Sequence, residues 1–353
     1  MKKLTALILT LAMVLSLAAC STGSAPGSST TAKPSSGSAS QTSAPVGEDP
    51  LKTTYNFATY STGTSWYSYG ATITDLLTKA GMSLNMLAYG GGLSDLVMVQ
   101  QGEAPLSLSF SVFSKWSYNG MYAYEDYGAN PELRLIAGSF DKMYVTIALN
   151  AKLGVTSLEE IVDKKMGINI YTSEFGSASE YTTRIILEAL GIDYATIESW
   201  GGSVTHTDFA SIVDAYKDGK CDLFIQHCSV GHPTMTELCT TCDVVLPSLS
   251  DEVVAYMTER GYTEMDMPAN TFGTHDEVRC AGMVTTMICT TAVPDEVSYL
   301  IAKTLYNAKD EMILGHAGFK DFDLEACCLS EGNGEIPLAK GAEQYYREIG
   351  LIT

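Results

Sequence analysis

The chain has 353 residues, 46% hydrophobic and 18% charged, with a formal net charge of −20. A chain this acidic lacks the clustered Lys and Arg that phosphate backbones require. That excludes DNA and RNA as partners, and an anionic membrane surface would repel the folded body. Its length holds two domains of ordinary size.

The N-terminus opens on Met1, Lys2 and Lys3, and residues 4–19 form a mostly apolar run closed by small residues. This is the pattern of a signal peptide over residues 1–19, too short for a comfortable membrane span. Leu17-Ala18-Ala19-Cys20 resembles the lipobox of bacterial lipoproteins, which implies a lipidated Cys20 and membrane contact through that anchor only. Residues 21–48 are almost wholly Ser, Thr, Gly, Ala and Pro. Such a composition cannot offset its ordering entropy, so residues 20–49 are expected to be a flexible tether reaching about 30 Å.

From residue 53 onward, strand-like and helix-like segments alternate. TTYNFAT precedes the helical SWYSYGATITDLLTKAG; SLNMLAY precedes GGLSDLVMVQQGE; LSLSFSV, RLIAGS and MYVTIALN read as extended. KMGINI leads to the helix SASEYTTRIILEALG, VTHTD to FASIVDAYKDGK, CDLFIQHC to HPTMTELCTT, and VVLPSL to SDEVVAYMTERG. Strands separated by amphipathic helices predict an α/β fold with mainly parallel sheets covered on both faces. The long extended runs at 143–150 and 282–291 bracket a block with its own alternation. The expected division is a first lobe of residues 50–145 and 282–353 and a second of 146–281, linked by two hinge crossings. A helical segment from PDEVSYLIAKTLYNAKDEMI to AKGAEQYYREIG closes the chain.

Three loops share one design: YSTGTSWYSYG after the first strand, YGGGLSDL after the second, and TSEFGSASE after KMGINI. Each combines glycine, hydroxyls and a helix start, where free N–H groups and the positive end of the dipole can seat an anion. The same residues also serve as ordinary N-caps. Glu180 has two open roles, pairing with a ligand ammonium or stabilising the first turn of its own helix. Trp66, Tyr67 and Trp116 can line a ligand or fill the core. His232, before Pro233, can cap a helix or touch the ligand.

Eight cysteines follow Cys20. Cys239 and Cys242 form one CxxC near Cys228 and His232, which without a second paired motif is weak support for zinc; a disulfide or buried thiols are the other readings. Neither a metal nor a cofactor is expected. The sequence contains no G-x-S-x-G elbow, H-E-x-x-H, phosphate-binding G-x-x-x-x-G-K-[ST] loop or EF-hand loop, which argues against an enzyme.

In the order and spacing of its motifs, from about residue 55 to the C-terminus, the chain resembles the TAXI-type solute receptors of tripartite ATP-independent (TRAP) transporters. Ser61-Thr62-Gly63-Thr64-Ser65-Trp66-Tyr67 stands for the family's Ser-Thr-Gly-Gly-Thr-Tyr-Tyr, with Thr64 in place of the second glycine. Gly91-Gly92-Leu93-Ser94-Asp95-Leu96 resembles its second loop, and Gly176-Ser177-Ala178-Ser179 its Gly-Ser-Gly-Thr. Gly231-His232-Pro233 and residues 342–348 fit more loosely.

The resemblance implies a two-lobed type II periplasmic binding-protein fold that passes a small solute to a TRAP permease. Known ligands of that family lean to glutamate, glutamine and small dicarboxylates. Phe110-Ser111-Val112 replaces the family's Gln-Ser-Asp, making that wall apolar and pointing to a less polar acid. Expected ligand-binding residues are Thr62, Gly63, Thr64, Ser65, Tyr67, Gly91, Gly92, Ser94, Phe110, Ser111, Ser177, Ser179, Glu180 and His232. The expected place is outside the cytoplasm, anchored to the outer face of the membrane or periplasmic. A surface sensor or adhesin would read the same in sequence.

Overall fold

A computed structural model describes residues 49–89 and 91–353. The expected signal peptide, Cys20 and nearly all of the expected tether lie outside the described residues. In chain order the body runs β1 (Thr54–Tyr60), α1 (Ser65–Lys79), β2 (Ser83–Tyr89), α2 (Leu93–Gln101), β3 (Leu106–Phe110), α3 (Ser111–Asn119) and β4 (Leu133–Ala137). It continues through β5 (Met143–Asn150), α4 (Leu158–Asp163), β6 (Asn169–Thr172), α5 (Ala178–Ala189), α6 (Tyr194–Ser199), β7 (Ser203–His206) and α7 (Phe209–Lys217). Next come β8 (Leu223–Cys228), α8 (Pro233–Thr241), β9 (Val244–Val245), α9 (Asp251–Glu259), β10 (Thr263–Met267) and β11 (Val278–Met283). The chain closes with β12 (Thr285–Thr290), α10 (Asp295–Asn307), α11 (Lys309–Gly315) and α12 (Lys340–Glu348).

Two sheets organise the two lobes. The first has the order β2-β1-β3-β12-β4; the second runs β10-β11-β5-β8-β6-β7, with β9 also on β5. Parallel pairing holds among β1, β2 and β3 and among β6, β7 and β8. The sheets are more mixed than the sequence predicts, because β12 pairs antiparallel with β3 and β4, and β5 with β8, β9 and β11. Every residue of β3, β5 and β8 is buried, as expected of strands covered on both faces. Helix α1 shows how the covering works: Trp66, Tyr69, Ile73, Leu76 and Leu77 are buried at helical spacing on one face. Each such large apolar side chain contributes about 1.5–3 kcal/mol on burial.

The apolar run at 282–291 is not one strand. It breaks at Val284, where the pairing moves from β5 in one sheet to β3 in the other. Ser111 replaces the missing ladder bonds: its N–H donates to the Val284 carbonyl (3.0 Å) and its Oγ accepts from the Val284 N–H (3.4 Å). Residues 138–142 carry the chain the other way, from β4 to β5. The two crossings lie side by side, since the Phe140 N–H donates to the Thr285 carbonyl and the Thr285 N–H to Asp141 Oδ1. VVLPSL yields only the two-residue β9, because Pro247 has no N–H to offer a ladder. The C-terminal helical run splits at Ala308, which leaves helical geometry (φ −107°, ψ 18°).

All eight cysteines of the body are free, Cys239 and Cys242 included. Among the described residues, no group of three or more His, Cys, Asp or Glu side chains is placed to hold a metal. No described helix is long and apolar enough to cross a membrane.

Candidate functional site

A cleft lies between the lobes. Five helices begin at its border, with Thr64, Ser65 and Trp66 from the start of α1, Gly91 and Gly92 from α2, Phe110 from α3, Ala178 and Ser179 from α5, and His232 from α8. Tyr60, Met143, Gln226 and His227 complete the lining from strands β1, β5 and β8. The walls are largely apolar. Trp66 leans on Phe110 with ring centroids 4.1 Å apart, and Phe110 meets His227 at 5.1 Å.

Among the described residues, no charged side chain lines the cleft. Burial lowers the pKa of His227 to about 3 and that of His232 to about 4, so both imidazoles are neutral at pH 7. Behind the glycines, Asp95 is fully buried, and burial pushes its pKa well above the usual carboxylate range. The cleft therefore offers neutral donors and acceptors together with the positive ends of helix dipoles.

Contacts between lobes close over this space. The Ser94 N–H donates to the Gly176 carbonyl (3.2 Å), Ser229 Oγ donates to Ser65 Oγ (3.1 Å), and Trp116 Nε1 donates to the Arg260 carbonyl (2.8 Å). Gly92, at φ +66°, lies so close to α5 that a Cβ there would come 2.6 Å from the Ala178 Cβ. A Cβ on Gly91 would come 2.4 Å from the Tyr60 ring. The glycines of the second loop thus allow close approach, as the sequence predicts, and what approaches is the opposite lobe and a tyrosine ring.

Over residues 57–350 the sequence matches the NMT1-like family. The chain belongs to the NMT1-like family. Its fold is similar to that of the periplasmic binding protein BugD, at 17% identity and a TM-score of 0.53, over 84% of this chain and 98% of that one. MatC from Rhodopseudomonas palustris, a structure with bound malate, is similar at 14% identity and a TM-score of 0.51, over 84% of this chain and 96% of that one. The two-lobed periplasmic binding-protein fold is therefore the fold of this NMT1-like chain.

Of the residues expected at the site, Thr64, Ser65, Gly91, Gly92, Phe110, Ser179 and His232 line the cleft. The others do not. Thr62 and Gly63 are exposed on the turn before α1, and Tyr67 is half-buried outside the lining. Ser94 Oγ donates to the Gly91 carbonyl (3.4 Å), and Ser111 clasps Val284 at the crossing. Ser177 caps α5 by accepting from the Glu180 N–H (3.2 Å). The Glu180 carboxylate is not in the cleft lining; it accepts from Arg184 Nε at 2.8 Å and Nη2 at 3.0 Å, and from the Tyr194 hydroxyl at 3.4 Å. It takes its second open role, stabilising its own helix.

Of the aromatic residues left open, Trp66 lines the cleft. Trp116 is core, edge-on to Phe113 at 5.0 Å. His232 both caps α8, through Nδ1 accepting from the Met235 N–H (3.3 Å), and lines the cleft. Sequence reasoning missed Tyr60, Met143, Ala178, Gln226 and His227. A signal for two of them was present, because Gln226 and His227 interrupt an apolar strand buried throughout, where polar side chains need partners. Replacing Ser177 with alanine should cost about 1 kcal/mol of stability through loss of the cap. Chemical denaturation checks this; an unchanged midpoint would mean the cap contributes nothing.

Proposed function

We propose that this protein is an extracytoplasmic solute receptor that closes its two lobes on a small organic anion with an apolar body. The observation that carries this reading is the uncharged, aromatic-walled cleft bordered by five helix starts. Helix N-termini and hydroxyls favour one carboxylate, while Trp66, Phe110 and Met143 favour an apolar remainder. Among the described residues the lining holds no Lys or Arg, so a second negative charge would lack a counter-ion there, and a monoacid fits better than glutamate or a dicarboxylate. MatC, alike in fold, holds malate.

The crossings at 138–142 and at Val284 are the proposed hinge between the lobes. TAXI-like motif order makes a TRAP permease the proposed recipient of the solute. Cys20 is the proposed lipid attachment, holding the receptor at the outer face of the membrane or in the periplasm. The reading assigns binding and no catalysis.

The test is a thermal-shift screen of the full chain against amino acids, dicarboxylates, keto acids and apolar monocarboxylates. A ligand at about a hundred times its Kd adds roughly 2.7 kcal/mol, a shift of several degrees. Apolar monocarboxylates should give the largest shifts, and Ser179→Ala should weaken the best of them about tenfold. Shifts confined to cations, or none with any acid, would defeat the reading.

A further inference from the structure

We propose that a buried hydrogen-bond chain from Tyr262 through Thr182, His227 and Ser179 to Gln226 has one fixed polarity and presents the Gln226 amide NH2 to the cleft. This rests on the receptor reading above and names the chemistry the site selects. Gln226 requires a ligand group that accepts hydrogen bonds, a carboxylate or carbonyl oxygen, and disfavours an ammonium.

The polarity follows from one group that can only donate. The His227 backbone N–H lies 3.1 Å from Gln226 Oε1, so that atom is the amide oxygen. Ser179 Oγ bonds to the same oxygen and must therefore be the donor. A hydroxyl has a single proton, so the contact of Ser179 Oγ with His227 Nδ1 at 3.4 Å is donated by the ring. Burial keeps His227 neutral at pH 7. With its proton on Nδ1, the ring accepts at Nε2, and Thr182 Oγ1 donates to it at 3.0 Å. The Thr182 proton is then used, so the Tyr262 hydroxyl donates to Thr182 across 2.7 Å.

All five side chains are buried. The Gln226 oxygen is occupied twice, and among the described residues Nε2 makes no hydrogen bond, while Gln226 lines the cleft. What remains for a ligand is a donor. A reversed chain would set the Ser179 hydroxyl or the amide against a donor, and burial makes that mismatch costly.

The full chain labelled with ¹⁵N-histidine tests the polarity without any ligand, through long-range proton–nitrogen correlation at pH 7. His227, assigned by its loss in His227→Gln, should appear as the neutral Nδ1–H tautomer. His232 and His316 are internal controls. Their Nδ1 atoms accept from Met235 and Gly318 N–H groups at 3.3 and 3.0 Å, so both should carry the proton on Nε2. A His227 that is Nε2–H or doubly protonated overturns the proposal, whatever the protein binds.

The second arm uses benzoate and benzylamine, similar in size and opposite in hydrogen-bonding character. Wild type should bind benzoate and not benzylamine, and Gln226→Glu should lose benzoate at least tenfold. Benzylamine binding as well as benzoate, or undiminished benzoate binding by Gln226→Glu, overturns the assigned selectivity. An Nδ1–H His227 with no response to any acid supports the chain's polarity and counts against the receptor reading.

Discussion

Gly92→Val should leave the protein folded and lower its affinity for any solute held in the cleft by about a hundredfold or more. The reason is geometric. A side chain at Gly92 would place its Cβ 2.6 Å from the Ala178 Cβ and 2.8 Å from the Ala178 nitrogen, on the opposite lobe. Backbone strain adds to this, since φ is +66° where L side chains are disfavoured. Opening the lobes relieves the overlap without disturbing either sheet, so the cost falls on the closed state. A hundredfold loss corresponds to only about 2.7 kcal/mol, within reach of a backbone collision at an interface. Solution scattering should give a larger radius of gyration for the variant, and titration with the best acid from the screen should give the loss. Wild-type affinity with an unchanged radius would show that closure does not depend on this contact.

Asp141→Asn should remove one contribution that lowers the stability of the wild type as pH rises. Asp141 lies in the first crossing and is fully buried. It accepts from the Thr285 N–H (2.9 Å) and Oγ1 (3.1 Å) in the return crossing, and Thr285 Oγ1 in turn accepts from Trp66 Nε1 (3.0 Å) in the cleft wall. Burial raises the Asp141 pKa from 3.8 to about 7, and the hydrogen bonds from Thr285 only partly offset it. Between these values the folded protein holds a proton that the unfolded chain has released. Stability therefore decreases as pH rises from about 4 to about 7. Asparagine has no such proton. The difference between variant and wild type should move in favour of the variant by on the order of 2–4 kcal/mol across that window. Denaturant titrations at pH 4, 5.5, 7 and 8 measure it, and a difference flat in pH would show that Asp141 does not titrate there.

Much of the fold was legible because local pattern and tertiary environment agree. SLNMLAY and MYVTIALN are strands at their predicted limits, and the helix starts at Ser65 and Ala178 sit where Thr64 and Ser177 supply caps. The second sheet was less legible. Parallel and antiparallel neighbours impose no different composition on buried strands such as β5 and β8, so the mixed pairing left no trace in the residues. Half of the expected site residues line the cleft, all of them near helix starts, although Ser111 and Ser177 stand at helix starts too and do not line it. Thr62, Ser94, Ser111, Ser177 and Glu180 share the same loops but are used for turns, caps, the crossing and an ion pair. A short polar side chain serves either purpose with the same atoms.

By itself the sequence determined the alternation of strands and helices, the three Gly- and Ser-rich helix starts, and the apolar character of Phe110 in the wall. Each is a matter of residues near one another in the chain. Only the tertiary structure decided that Gln226 and His227 enter the cleft, that Gly92 is one of the points of contact between lobes, and that Asp141 ties one crossing to the other. These depend on which strand lies beside which and on how far water is excluded, and both arise only when segments distant in sequence pack together.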